Sequence, residues 1–319
     1  MAMTHSKKHT LIFCVCLFLS RLAWAHSNSV HIWEEGNYRY IESNGIPDHA
    51  PGQFPNSGNP NTISSKHYLF RVPSHPNLNS FETLYSHDLF GVELNGVPFD
   101  PGTAEFWNND RNSGWNYEAL SGKINLGLDQ SNAHVQPDGA YHYHGVPKKA
   151  LSGGNALMQL IGYAADGFPI YFDASVESSY QLKQGMRPSG PGNRYDGTFV
   201  EDYEYVPGAG DLDVCNGQNR ATAEFPEGIY HYYLTDEFPF VPRCLKGTPD
   251  PSFKKQKPGQ RQQGRSGGGR SSPGGIPPKE AIAACSNHEE GDPCSFLAPH
   301  GTVRGTCRNL GDASACVPS

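Results

Sequence analysis

The chain has 319 residues, including 36 glycines, 26 prolines and 16 tyrosines, and it carries 25 basic against 32 acidic residues. The net charge of −7 at pH 7 argues against nucleic acid or an anionic membrane as a partner, because those ligands need a basic surface. The many turn-forming and aromatic residues, with few helical patterns, predict a loop-rich, mainly β protein.

The first 25 residues have the features of a signal peptide. Two lysines precede an apolar run over 11–19, and Ala23 and Ala25 supply the small residues that flank a cleavage point. The apolar run is about half of the roughly 20 residues that a membrane-spanning helix needs. We therefore expect cleavage after Ala25 and a mature protein that is secreted or periplasmic, with no membrane anchor.

Residues 26–252 are predicted to form one domain. Alternating apolar and polar residues predict strands in three places, namely 67–72, 91–97 and 229–234. Asp-Gly pairs typical of turns between strands occur at 138–139, 166–167 and 196–197. Short helices are expected over 175–184 and 279–284. The expected architecture is a double sheet, arranged as a sandwich or as a barrel-like fold.

A histidine-tyrosine hairpin carries the main functional signal. Pro137-Asp138-Gly139 suits a three-residue hairpin loop, and it leads into a strand with the sequence YHYH at 141–144. Alternate side chains of a strand share a face, so His142 and His144 point to one side and the tyrosines to the other. With this loop length, His134 on the preceding strand falls directly opposite His142.

Three imidazoles on one face predict a transition-metal site. A His-x-His pair places two rings about 7 Å apart along a strand, close enough to share an ion. Neutral imidazole suits copper, zinc or iron, and no thiolate or carboxylate in the motif selects among them. Whether such a site is structural or catalytic stays open at this point.

A second copy of the hairpin sequence lies at 226–233, where Pro-Glu-Gly replaces Pro-Asp-Gly. His231 aligns with the first histidine of YHYH, whereas Tyr233 takes the place of the second and Ala223 that of His134. Packing of the two hairpins around a pseudo-two-fold axis would bring His231 to the metal. The predicted ligands are therefore, in chain order, His134, His142, His144 and His231.

The amino-acid composition of the chain changes at residue 253. Residues 253–279 are rich in Gly, Pro, Ser and Gln, with seven basic residues and almost nothing apolar, which predicts a disordered linker. Residues 280–319 contain four cysteines, and a module of this size needs disulfides to fold. Its three possible pairings stay open, whereas Cys215 and Cys244 are natural partners in the main domain.

The sequence also resembles the YHYH family of secreted proteins, whose function is unassigned. The signature is Tyr141-His142-Tyr143-His144-Gly145, and further landmarks lie at 91–98, 162–171, 213–217, 228–232 and 239–247. The resemblance covers roughly residues 65–250 and implies a single YHYH domain there. The segment from Cys285 to Cys316 is similar to a module that accompanies some members.

Two enzymatic alternatives stay open. Cleavage after Ala25 would leave His26 at the N-terminus, where amine and ring can chelate copper as in copper-dependent polysaccharide monooxygenases. A second histidine would then come from His49, His67 or His87, and the last two are also further candidates for the site at YHYH. Metal-assisted hydrolysis is the other alternative, with general acid-base chemistry from Asp138, Asp166 or Glu105 beside a metal-bound water.

A third alternative is recognition without catalysis. Clustered aromatic and amide residues can bind carbohydrate, and Trp107 and Trp115, near the polar residues 108–110, are candidates for stacking against sugar rings. The partner would be an extracellular polysaccharide or a protein. Under this alternative, His144→Ala would be tolerated without loss of a metal.

Overall fold

The structure, a computed structural model, describes residues 27–151, 158–255, 279–286, 288–298, 301–309 and 314–318. The predicted signal segment 1–25, His26 and most of the predicted linker lie outside the described residues. Within the described ranges, no helix is long and apolar enough to cross a membrane.

The main domain is built almost entirely from short strands. Within its described residues they are β1 Val30–Glu35, β2 Tyr38–Ser43, β3 Tyr68–Pro73, β4 Thr83–Leu84, β5 Gly91–Glu93, β6 Pro98–Phe99, β7 Ala133–Val135, β8 Tyr141–Tyr143, β9 Met158–Ala164, β10 Pro169–Asp173, β11 Tyr180–Leu182, β12 Tyr203–Tyr205, β13 Gly217–Arg220, β14 Ile229–Leu234 and β15 Cys244–Leu245. Single 3-10 turns occur at Trp107–Asn109, Arg111–Ser113, Val200–Asp202 and Pro251–Phe253.

Eight of these strands form one mixed sheet in the order β13-β14-β10-β9-β5-β6-β8-β7. The pairs β10–β14 and β6–β8 are parallel, and the other pairs are antiparallel. The two copies of the hairpin sequence therefore lie at opposite ends of the same sheet. Three smaller units accompany it: the antiparallel sheet β1-β2-β3 and the pairs β11-β12 and β15-β4.

The three-stranded sheet and the eight-stranded sheet bury one common hydrophobic core. Phe70 and Val72 of β3 enter the same cluster as Val92 of β5 and Tyr143 of β8, and none of the four is more than 1% exposed. Apolar burial of this kind stabilises a fold by about 25 cal/mol per Å². The mainly β, double-sheet fold expected from the sequence is confirmed.

Two local predictions are wrong. The run 91–97 is not one strand, because Asn95-Gly96 makes a tight turn between β5 and β6, with Gly96 at a φ of 85°. The segment 175–184 forms no helix. Its residues Tyr180–Leu182 instead form β11, which pairs antiparallel with β12, so a non-local strand pairing determines the structure of this segment.

The end of the main domain lies further along the chain than the composition suggests. Phe253, assigned from the sequence to the start of the linker, is 1% exposed and stacks on Phe70 with 4.7 Å between ring centroids. The Phe253 carbonyl oxygen accepts the Leu89 N–H at 3.1 Å. The Lys255 N–H donates to an Asp88 carboxylate oxygen at 3.2 Å, so the contacts with the main domain extend to Lys255.

Disulfides hold both parts of the chain. Cys215–Cys244 joins the segment before β13 to β15, as predicted. The C-terminal module contains α1 Lys279–Ala283, β16 Pro293–Ala298, β17 Gly301–Asn309 and β18 Ser314–Pro318. Its cysteines pair as Cys285–Cys307 and Cys294–Cys316, which resolves the three alternatives left open by the sequence.

Candidate metal centre

β7 and β8 form the hairpin that the Pro-Asp-Gly sequence predicts. The Gln136 N–H donates to the Ala140 carbonyl oxygen at 2.9 Å, and the Gly139 N–H donates to the Gln136 carbonyl oxygen at 2.8 Å. Gly139 has a φ of 87°, a conformation that favours glycine. This loop fixes the register in which His134 lies opposite His142, as predicted.

The two faces of β8 differ in chemistry. Tyr141 and Tyr143 point into the hydrophobic core, where their hydroxyl groups find hydrogen-bond partners. His142 and His144 point to the other face, and each is only 2% exposed. His134, on β7, is half-buried and shares that face. The alternation expected of a strand therefore holds, and both faces of the hairpin are covered.

The three imidazole rings turn their Nε2 atoms toward one point. The Nε2 atoms of His142 and His144 lie 3.0 Å apart, and those of His144 and His134 lie 3.1 Å apart. For comparison, two nitrogens bound at about 2.0–2.1 Å to one tetrahedral zinc lie roughly 3.3 Å from each other. The observed spacing is close to the edge of a metal coordination polyhedron.

The Nδ1 atoms show which tautomers the first two rings adopt. Nδ1 of His134 lies 2.9 Å from the Leu126 carbonyl oxygen, and Nδ1 of His142 lies 3.3 Å from the Ala140 carbonyl oxygen. A carbonyl oxygen only accepts, so both Nδ1 atoms carry the proton and both Nε2 atoms present a lone pair. Metal-binding histidines are commonly oriented by this kind of contact.

Neither tautomer of the His144 ring gives every polar atom of the cluster a hydrogen-bond partner. If His144 carries its proton on Nε2, one N–H faces the lone pairs of both His134 and His142, and its buried Nδ1 keeps an acceptor without a partner. If the proton is on Nδ1, that buried donor has no partner and three lone pairs meet. An unpaired buried polar group costs about 1–3 kcal/mol, and it is present in either tautomer because Nδ1 of His144 has no partner. A cation bound by the three Nε2 atoms would remove the repulsion among their lone pairs.

The cluster is held in the neutral state that metal binding requires. Burial lowers the pKa of His142 to about 4, and the nearby Asp100 carboxylate opposes that shift. Burial and the adjacent His142 lower the pKa of His144 well below its ordinary value. Burial also lowers the pKa of His134. All three rings therefore offer lone pairs at neutral pH.

These shifts predict acid sensitivity of the metal-free protein. Below about pH 6.5 the unfolded chain protonates its histidines, whereas folded His142 stays neutral down to about pH 4. The unfolded state then binds more protons, so the free energy of unfolding falls as the pH falls through this window, by up to about 3 kcal/mol for this residue. Urea unfolding at several pH values measures the slope. A His142→Gln variant should have a shallower slope, and an equal slope would contradict the assignment.

A comparison with protein-family models matches residues 69–247 to the YHYH protein family. The chain belongs to the YHYH family. The match covers both hairpins and all the strands between β5 and β14. No curated protein and no solved structure matches the chain.

Within the YHYH domain, Asp100 lies on the histidine face. It follows β6, whose Phe99 pairs with Tyr143, so strand alternation directs the Asp100 side chain toward the three histidines. The carboxylate accepts from the Tyr85 hydroxyl at 3.0 Å and from Gln136 Nε2 at 3.2 Å, and it forms an ion pair with Lys255 at 2.5 Å. A hydrogen-bonded carboxylate thus adjoins the three histidines.

The other histidines named from the sequence do not join the cluster. His49 lies on the core side, with Nε2 2.9 Å from the Tyr143 hydroxyl. His67 is exposed, 3.9 Å from a carboxylate oxygen of Glu42. His87 has a φ of 62° and its ring packs beside Tyr85, with 5.2 Å between centroids. The cluster of described residues that can share one ion here consists of His134, His142 and His144.

His231 is the clearest correction. Four strands separate β14 from β8 in the sheet, which places the two histidine strands roughly 24 Å apart at 4.8 Å per step. The expected pseudo-two-fold packing of the hairpins does not occur. The register is also different from the prediction, because Gln218, not Ala223, lies opposite His231. The eight residues 221–228 connect β13 to β14, whereas the five residues 136–140 connect β7 to β8.

In the second hairpin, the polar atoms of the same motif are hydrogen-bonded to one another and to the backbone. Gln218 Nε2 donates to the Tyr233 hydroxyl at 3.0 Å, and that hydroxyl lies 2.9 Å from His231 Nε2. Nδ1 of His231 lies 2.9 Å from the Ile229 carbonyl oxygen. Each donor has an acceptor, and no lone pairs converge. His231 is therefore a hydrogen-bonded core residue.

The structure also locates the residues that the sequence analysis named as candidates for hydrolysis or for stacking against sugars. Asp166 is 1% exposed and accepts the Tyr232 hydroxyl at 2.6 Å and the Gly247 N–H at 2.8 Å. Asp138 is exposed and accepts the Ala140 N–H within the hairpin loop. Of the other candidates, Trp115 is buried, and Glu105 is exposed and close enough to His134 to raise the pKa of that ring, against the larger effect of burial.

Asp100 is the residue near the cluster that sequence reasoning missed. Pro98-Phe99-Asp100 carries no local motif, and its proximity to His142 depends on the parallel pairing of β6 with β8, whose residues are some forty positions apart. The available signal was the alternation of Phe99 and Asp100, which is interpretable only once that pairing is known.

Proposed function

We propose that this YHYH protein binds one transition-metal ion through the Nε2 atoms of His134, His142 and His144. The observation that carries the proposal is the convergence of three Nε2 atoms, two of them on rings whose Nδ1 faces a carbonyl oxygen. Three neutral imidazoles suit copper, zinc or iron.

The ligand set has the composition of a site with an open position. Structural zinc sites close four protein ligands, whereas catalytic sites keep three and leave one position for water or substrate. No fourth histidine, cysteine or carboxylate joins the cluster among the described residues. The half-buried His134 marks the side from which solvent approaches. The site is therefore suited to metal-assisted chemistry, with Asp100 close to the ligands.

Export fits this proposal. Three disulfides hold the two parts of the chain, and disulfides persist in oxidising compartments outside the cytosol. The proposed location is the extracellular space or the periplasm.

Elemental analysis of protein purified without an affinity tag tests the proposal. We expect about one equivalent of copper, zinc or iron per chain. Reconstitution at a hundredfold excess over the Kd should raise the free energy of unfolding by about 2.7 kcal/mol. Substitution by Co²⁺ reports coordination number in the visible spectrum. Absence of metal, with no thermal shift by any of the three ions after reconstitution, would refute the site.

A further inference from the structure

A row of aromatic side chains lies on the outer face of the three-stranded sheet. On β1, His31 and Trp33 point outward, and on β2, Tyr38 and Tyr40 do so, because the alternate residues of β2, such as Ile41, point into the core. We call His31, Trp33, Tyr40 and Tyr38 the aromatic row. The register places Trp33 directly opposite Tyr40.

The rings follow one another without a gap. The centroids of His31 and Trp33 lie 4.9 Å apart, those of Trp33 and Tyr40 5.2 Å apart, and those of Tyr40 and Tyr38 6.5 Å apart. Trp33 and Tyr40 are nearly parallel, with an interplanar angle of 12°. The row continues into the Arg71 guanidinium, which lies 4.5 Å from the centre of the Tyr38 ring.

Core packing does not account for this row. The ring contacts within it join its members to one another, while the inward face of the same strands supplies the buried Ile41 and Phe70. Tyr38 is 36% exposed, and Leu69 beside the row is 51% exposed. A cross-strand aromatic pair contributes about 0.2–1 kcal/mol, which explains one such pair but not a set of four neighbouring rings. Of these rings, His31 and Tyr38 are exposed, and Trp33 and Tyr40 are half-buried. Contiguous exposed apolar surface of this kind marks a binding site.

The groups that border the row are acidic or already neutralised. Glu42 lies opposite His31 on the same face, and Glu35 lies opposite Tyr38. Arg71 forms an ion pair with Asp250 at 2.8 Å, so its charge is compensated. A face with this balance repels polyanions and anionic membranes. It offers carboxylate oxygens and a guanidinium to a ligand rich in hydroxyl groups.

We propose that the outer face of β1–β2–β3 binds an uncharged polysaccharide chain, whose sugar rings pack on Trp33 and Tyr40. Pyranose rings present apolar C–H faces to aromatic rings and hydroxyl groups to polar neighbours such as Glu42. A small ligand would need a concave pocket that buries most of its surface, whereas an extended polymer fits an open sheet face. This inference does not depend on the metal centre.

Affinity electrophoresis in gels containing soluble neutral polysaccharides tests the proposal. The probes are hydroxyethylcellulose, glycol chitin, mixed-linkage β-glucan and mannan, with polygalacturonate as the anionic counter-probe. We expect retardation of the wild-type protein by at least one neutral polymer. The Trp33→Ala/Tyr40→Ala variant should bind roughly tenfold or more weakly, because truncation of an aromatic anchor removes a large share of binding energy.

The control variant is Met186→Ala, which removes an apolar side chain that is 61% exposed outside the row and should leave binding unchanged. Circular dichroism and thermal unfolding show whether the double variant is folded. If it is not, Tyr38→Ala at the exposed end of the row replaces it, with a smaller loss expected. Equal binding by the row variants, loss in Met186→Ala, preference for polygalacturonate, or no binding by the wild type would each overturn the proposal.

Discussion

Replacing His142 or His144 by alanine is expected to weaken metal binding by a hundredfold or more. Loss of a contact that merely orients a metal ligand costs about 10–100-fold, and loss of the ligand itself costs more. Both rings are buried and supply Nε2 atoms 3.0 Å apart, so no neighbouring side chain replaces either of them. Elemental analysis after dialysis and competition with a chromophoric chelator measure the change.

His231→Ala is the matched control for this experiment. His231 occupies the same place in the second copy of the motif, is fully buried, and has its Nδ1 against a backbone carbonyl oxygen. Its removal should cost stability without changing metal content, because its Nε2 faces the Tyr233 hydroxyl and no other histidine. Equal loss of metal in His231→Ala, or unchanged metal in His142→Ala, would contradict the three-histidine site.

The contrast between the hairpins shows what the sequence could predict. In the first hairpin a three-residue loop fixes the register, so His134 was placed opposite His142 from local chemistry alone. The second hairpin has the same Pro-acid-Gly signal, but its connection is longer and brings Gln218 opposite His231. Loop chemistry determines register only where the loop is as short as its motif suggests.

The order of the strands in the sheet could not be predicted from the sequence, for a different reason. The parallel pair β6–β8 and the separation of β14 from β8 are non-local, and no property of either strand alone specifies its neighbours. For the same reason, the proximity of Asp100 to the three histidines could not be predicted. Face alternation, by contrast, is a local property, and it correctly separated the tyrosine side of β8 from the histidine side.

Arg243→Leu is expected to destabilise the fold by about 3–5 kcal/mol, because it leaves a carboxylate buried without its partner. Arg243 Nη2 and a carboxylate oxygen of Glu118 lie 2.5 Å apart, and their side chains are 9% and 1% exposed. The pair joins the residue before Cys244 to the segment that leads toward Leu126, whose carbonyl oxygen orients His134. Chemical denaturation at neutral pH measures the loss.

Two further variants separate the buried charge from a general loss of packing. Arg243→Leu/Glu118→Leu should recover much of the stability, because removing both partners leaves no buried charge. Lys148→Ala, which removes an ion pair exposed on both sides with Asp236, should change stability by about 1 kcal/mol or less. Equal losses in the single and double variants would assign the effect to packing.

The pH dependence of Arg243→Leu provides an independent check. Burial already raises the pKa of Glu118 while Arg243 opposes that shift, so removing Arg243 should raise the pKa further. A carboxyl group with a raised pKa holds its proton in the folded state at pH values where the unfolded state has released it. Stability then falls as the pH rises. The deficit of the variant relative to wild type should therefore be smaller at acidic pH than at neutral pH, and a deficit independent of pH would show that Glu118 finds another partner.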